Sequence, residues 1–280
     1  MNEPDSAPVG AKPAPSNLVM RALAALVLAP LTIAIAYAGG WLWALLVTLV
    51  SIGLFAEWLM VVGAGSAALT GAGTVVIAMM GASVAFGALK TSVVTGLIGG
   101  AIVTLMARGK FLWAASGFAY AAAALLASIL VRKDLVNGFS ALMFVLLVVW
   151  ATDIGGYFAG RSIGGPKLWP RVSPKKTWAG ALGGFAASLA VAAGFVACGI
   201  GKPVPLLLVG AVLSVVSQLG DLFESAVKRR FGVKDSSHLI PGHGGLLDRL
   251  DGFVAAILAA WIIGFLRHGV HSAGSGLMVW

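Results

Sequence analysis

Apolar runs of roughly 17 to 25 residues, the length a helix needs to cross about 30 Å of hydrocarbon, recur along nearly the whole chain with only short polar breaks between them. Inside a bilayer there is no water to satisfy backbone N–H and C=O groups, so segments of this kind must be helices. The fold class read from the pattern is all-α: a polytopic helical membrane protein with about nine transmembrane helices. They are expected near 22–38, 41–63, 67–88, 92–107, 112–131, 136–158, 178–199, 204–222 and 250–268. Composition excludes the alternative of a water-soluble fold. Only 10% of residues are charged, against about 25% in soluble domains, and the mean hydropathy is +0.98. The 38 glycines suit close helix–helix contact in lipid.

Residues 1–16, rich in Pro, Ala and Ser, lack the periodicity of a packed element and are expected to form a disordered tail. Residues 17–280 then form a single transmembrane domain, with N-terminal spans in 17–135 and the polar, chemistry-bearing segments in 136–280. Arg21 followed by the run 22–38 also has features of a signal peptide, but the polar tail before it is long and a second span starts at Trp41. Cys198, the single cysteine, cannot form an intrachain disulfide.

The net charge of +9 lies between the spans, where lipid phosphate or a phosphorylated substrate is a better counter-charge than nucleic acid. With alternate loops assigned to alternate sides, 14 Lys and Arg residues fall on one side and 5 on the other. The richer side reads as cytoplasmic. Arg132 and Lys133 are misfits on the poorer side.

Of the ten acids, six (Asp153, Asp221, Glu224, Asp235, Asp248 and Asp251) fall in or beside two segments, 153–178 and 221–251. Asp153 lies within an apolar run, Asp221 ends one and Asp251 opens one, and an unpaired charge at membrane depth costs about 2.5 to 3.5 kcal/mol or more. Two accounts compensate them: structural salt bridges, or a metal and phosphate site at the membrane surface. Asp221, Glu224, Ser225 and Lys228 share a helix face at i, i+3, i+4 and i+7. Asp248 and Asp251 share one if the ninth helix starts early. Such an oxygen-rich set suits a hard cation such as Mg²⁺. The four His and one Cys show no zinc spacing. The stretch Pro241-Gly242-His243-Gly244-Gly245 reads either as a plain turn or as a loop whose N–H groups approach phosphate. The basic loop offers Lys167, Arg171, Ser173, Lys175, Lys176 and Thr177, the last placed to cap the following helix; lipid headgroups are the simpler partners for its charges. No GxxxxGK[ST] phosphate loop is present.

The run SAVKRRFGVKDSSHLIPGHGGLLDRLD, residues 225–251, resembles without a gap the signature of the phosphatidate cytidylyltransferases, also called CDP-diacylglycerol synthases. Ser225, Lys228, Arg229, Lys234, Asp235, His243, Gly244, Gly245, Asp248, Arg249 and Asp251 fall on its fixed positions. The run DIGGYFAGRSIGGPKLWPRVSPKKTWAG, residues 153–180, is similar to the family's second polar block, although Ala179 stands where many members carry Glu. The first 130 residues resemble the family in span pattern more than in motif.

The resemblance implies that CTP and phosphatidate react to give CDP-diacylglycerol and pyrophosphate. It further implies Mg²⁺, with room for a second cation, the cytoplasmic face of the membrane, and a homodimer; the tail is poor in Arg and lacks transit-peptide character, so a bacterial inner membrane is the expected location. No nucleic-acid partner is expected. The roles that follow are expectations. Asp221, Asp248, Asp251 and Glu224 hold the metal. Asp221, Lys228, Asp248, Asp251 and His243 form the catalytic set. Arg161, Lys167, Ser173, Lys175, Lys176, Thr177, Arg229, Gly244, Gly245 and Arg249 bind the substrates. Two rivals stay open on sequence alone: a CTP-dependent polyprenol kinase, which would release CDP, and a proton-coupled transporter, although the first five spans hold few polar residues besides Glu57.

Overall fold

The computed structural model describes residues 17–107, 109–237 and 244–280. Arg108, His243 and the tail 1–16 lie outside the described residues, and so does the role expected of His243. Nine helices coincide with the nine apolar runs: α1 (Asn17–Ala38), α2 (Gly40–Val61), α3 (Ala67–Ala85), α4 (Leu89–Met106), α5 (Phe111–Lys133), α6 (Gly138–Ser162), α7 (Trp178–Ala197), α8 (Pro203–Arg230) and α9 (Leu247–His268). Among the described residues, eight of them, α2 to α9, are long and apolar enough to cross a membrane, where about nine spans were expected.

Two further elements were not expected. Within the basic loop, β1 (Lys167–Trp169) and β2 (Ser173–Thr177) form an antiparallel hairpin with Lys167 opposite Thr177 and Trp169 opposite Ser173. After α9 the chain turns at Gly269 and re-enters as a short helix, α10 (Ala273–Met278), packed against α9, α6 and α5.

Because lipid removes most of the hydrophobic drive between helices, close packing and buried hydrogen bonds hold the bundle. Helices α6 and α7 meet along Gly155, Gly156, Gly160, Gly180, Gly183 and Gly184: a Cβ on Gly180 would stand 2.9 Å from Gly156 O, and one on Gly184 2.5 Å from Thr152 O. Helix α8 joins α6 through Thr152 Oγ1, which lies 2.9 Å from Ser214 Oγ. In the N-terminal half, α2 is the hub between α3 and α5, with Phe55 and Trp58 fully buried. Trp58 Nε1 donates to Trp113 O at 2.8 Å, and Gly73 and Gly117 leave room for the two rings.

The misfit charges Arg132 and Lys133 finish helix ends. The last carbonyls of a helix have no partner within it, and a cation there also meets the negative end of the dipole. Arg132 donates to Ala36 O at 2.5 Å and Tyr37 O at 2.9 Å at the end of α1, while Lys133 donates to Val84 O at the end of α3. Lys110 does the same for α2 through Val62 O and Gly63 O. Beside Arg132, Asp134 accepts from the N–H groups of Val136, Asn137 and Ser275, tying α10 to the α5–α6 turn.

Candidate active site

Alternating helix directions bring the C-terminal ends of α2, α6 and α8, the N-terminal ends of α7 and α9, and the hairpin to one end of the bundle. This end collects both polar segments. Thr177 is the N-cap of α7, its Oγ1 accepting from Gly180 N at 3.0 Å, as its position suggested. Helix α8 continues beyond its apolar run to Arg230, which keeps Asp221, Glu224, Ser225 and Lys228 on one continuous face. Helix α9 starts at Leu247, early enough to hold Asp248 and Asp251 one turn apart.

Two ion-paired groups result. In the first, Lys176 of β2 bonds Asp221 of α8, and Ser225 Oγ donates to Asp221 at 3.4 Å. Asp153 of α6 faces open space and lies within electrostatic reach of Asp221, Lys176 and Arg249. In the second, Lys228 Nζ sits between Glu224 Oε2 at 2.7 Å and Asp248 Oδ1 at 2.5 Å, with all three side chains largely out of solvent. The second oxygen of Asp248 accepts from Ser236 N and Gly245 N and lies 3.1 Å from Ser236 Oγ. Asp251 joins the two groups, since the charges of Asp221, Glu224 and Asp153 all act on it.

The remaining sequence candidates line the rim. Arg161 donates to Tyr157 OH at 3.1 Å. Lys167 and Lys175 are exposed, and Ser173 is half-buried in the hairpin. Arg229 is exposed and donates to Val233 O at 2.9 Å, and Arg249 is exposed on the first turn of α9. Gly244 has φ +81°, a conformation suited to glycine. Gly245 has a different reason to be glycine: a Cβ there would stand 2.6 Å from Glu57 Oε2.

Glu57 is the residue that motif reading missed. It lies in α2 and is fully buried. Its carboxylate accepts four hydrogen bonds: from Ser237 Oγ (2.6 Å) and Leu246 N (2.8 Å) on Oε1, and from Ser236 Oγ (2.8 Å) and Leu247 N (2.7 Å) on Oε2. A lone carboxylate in an apolar run was itself a signal, because such a charge persists only with partners.

The donor chemistry fits a hard cation in kind, being carboxylate oxygen throughout, and Glu224 Oε1 is buried with no hydrogen bond. As placed, no group of three or more His, Cys, Asp or Glu side chains among the described residues converges on one point.

The profile of the Cytidylyltransferase family matches residues 19–266. The chain belongs to that family. As a cytidylyltransferase it is an enzyme that transfers a nucleotidyl group. It is 41% identical to the phosphatidate cytidylyltransferase of Brucella suis over 257 residues, 89% of this chain and 94% of that protein. The phosphatidate cytidylyltransferase of Bacillus subtilis matches at 48% over 120 residues, 42% of this chain and 44% of that protein. That of Haemophilus influenzae matches at 44% over 130 residues, 44% and 45% of the two chains.

Proposed function

We propose that the protein transfers the cytidylyl group of CTP to phosphatidate, giving CDP-diacylglycerol and pyrophosphate, at the cytoplasmic face of a bacterial cell membrane. The observation that carries this reading is the meeting of Lys176, Lys228 and Arg249 with Asp153, Asp221, Glu224, Asp248 and Asp251 at one end of the bundle, in a member of the cytidylyltransferase family. The names of the relatives supply the lipid.

A phosphate oxygen of phosphatidate attacks the α-phosphorus of CTP. The new P–O bond forms as the bond to the β-phosphate bridge breaks, and pyrophosphate leaves with the electron pair. Several negative charges crowd together in this step, so catalysis is mostly positioning and charge neutralisation. Lys228 and Arg249 face the phosphates of CTP; the hairpin residues Lys167, Ser173, Lys175 and Lys176, with Arg161, take the lipid phosphate. Asp221, Asp251 and Glu224, with Asp248, would hold Mg²⁺, which when bound supplies charge neutralisation at the triphosphate. Because Asp248 already has both oxygens engaged, its first duty is to fix Lys228.

The test is pyrophosphate release by purified protein given CTP, phosphatidate and Mg²⁺, beside Asp251→Asn. Lipid-dependent pyrophosphate that falls at least 100-fold in the variant is expected. Release of CDP with phosphorylation of a lipid alcohol would replace the reading with a kinase, and full activity in Asp251→Asn would remove that residue from the site.

A further inference from the structure

Glu57 has no place in the chemistry just described, yet its buried carboxylate is fully engaged by four hydrogen bonds. Each of its oxygens takes one hydrogen bond from the segment after α8 and one from the start of α9. Oε1 takes Ser237 and Leu246, and Oε2 takes Ser236 and Leu247. Helix α9 has no side-chain cap of its own at Leu246. The first N–H groups of a helix require an acceptor and favour a negative one, a place often filled by phosphate. Here a side chain from α2 fills it.

Gly245 N, the next amide toward the loop, is spent on Asp248. The amides of 245–247 are therefore closed to a triphosphate, and the glycine loop serves packing at these positions. The same carboxylate reaches the catalytic set through one residue. Ser236 places its hydroxyl 2.8 Å from Glu57 and 3.1 Å from Asp248, and its N–H on Asp248 at 3.0 Å; Asp248 in turn holds Lys228.

We infer that Glu57 is a positioning residue that occupies the N-terminus of α9 in place of a phosphate and, through Ser236 and Asp248, fixes the ammonium of Lys228. The inference rests on the cytidylyl-transfer reading for its kinetic readout. It predicts a split between kinetic constants. On that reading Lys228 neutralises charge that develops in the reaction, so misplacing it lowers kcat. The closed amides contribute nothing to CTP affinity, so KM for CTP does not change.

The experiment is steady-state pyrophosphate release by Glu57→Gln, Glu57→Asp and Ser236→Ala in detergent. In Glu57→Gln an amide group replaces one acceptor with a donor facing N–H and O–H groups, and kcat is expected to fall at least tenfold with KM for CTP within twofold of wild type. Glu57→Asp, which keeps both acceptor oxygens, recovers part of the loss. Ser236→Ala, which removes the hydroxyl between Glu57 and Asp248 while sparing the Ser236 N–H on Asp248 and the bonds from Leu246 and Leu247 to Glu57, covers the case in which Glu57→Gln fails to fold; a several-fold fall in kcat is expected. A KM for CTP raised more than fivefold with kcat retained would mean that the loop amides receive the nucleotide, and it would overturn the inference. Wild-type kcat in Ser236→Ala would do the same. If wild-type protein releases no pyrophosphate, cytidylyl transfer itself fails. The inference is then read from amide exchange at 244–248, expected to be at least tenfold faster in Glu57→Gln and overturned if unchanged.

Discussion

Replacing Lys228 with Met should be the most damaging single change to stability at the charged end of the bundle. Its ammonium lies 2.7 Å from Glu224 and 2.5 Å from Asp248, and the three side chains are 9%, 2% and 10% exposed. Methionine keeps the length and apolar stem but leaves two carboxylates that repel each other in a largely dry environment. Removing one partner of a buried pair costs about 3 to 5 kcal/mol. At about 2 to 4 °C per kcal/mol, the melting midpoint should fall by about 6 to 20 °C. The assay is thermal unfolding in one detergent, followed by tryptophan emission, with wild type, Lys228→Met, Glu224→Gln and the double variant measured together. Neutralising Glu224 in the Lys228→Met background removes one of the stranded charges, so the double variant should regain roughly half the loss. A midpoint within about 2 °C of wild type for Lys228→Met, or no regain in the double variant, would refute the view that this lysine is held by two buried charges.

Gly184→Ala should cost about 1 to 3 kcal/mol, because the new Cβ meets Thr152 O at 2.5 Å; Gly194→Ala on the same helix meets nothing within 4 Å and should be neutral or stabilising by up to about 1 kcal/mol. Paired melting curves separate the two. Asp134 lies outside the spans; burial raises its carboxyl, but hydrogen bonds from Ser275, Asn137 and Val136 outweigh this and hold it below the ordinary value of 3.8. Its contribution is present above that value and is lost as pH falls through the lower folded value. The gap in midpoint between wild type and Asp134→Asn should therefore be full at pH 6 to 7 and shrink below about pH 4.

The sequence carried whatever depends on local spacing. Helix positions, the shared face of Asp221, Glu224, Ser225 and Lys228, the Thr177 cap and the pairing of Asp248 with Asp251 on one turn all follow from a period of 3.6 residues or from cap chemistry. Long-range choices were not legible. Lys176 on Asp221 and Lys228 on Asp248 depend on how three elements pack, and periodicity does not report partners. The hairpin was hidden because Ser-Pro-Lys-Lys-Thr has little strand propensity. Arg132 and Lys133 read as misplaced loop charges because the carbonyls they cap belong to helices about 50 and 95 residues away in sequence.

The four donors on Glu57 all lie between residues 236 and 247, so the second helix is synthesised long before anything that can neutralise it. A chain stopped short of residue 236 would carry a bare carboxylate in an apolar helix, a defect costing about 2.5 to 3.5 kcal/mol or more. That burden is lifted only when the last long helix docks. Completeness of the polypeptide is thereby written into the energy of one of its earliest spans.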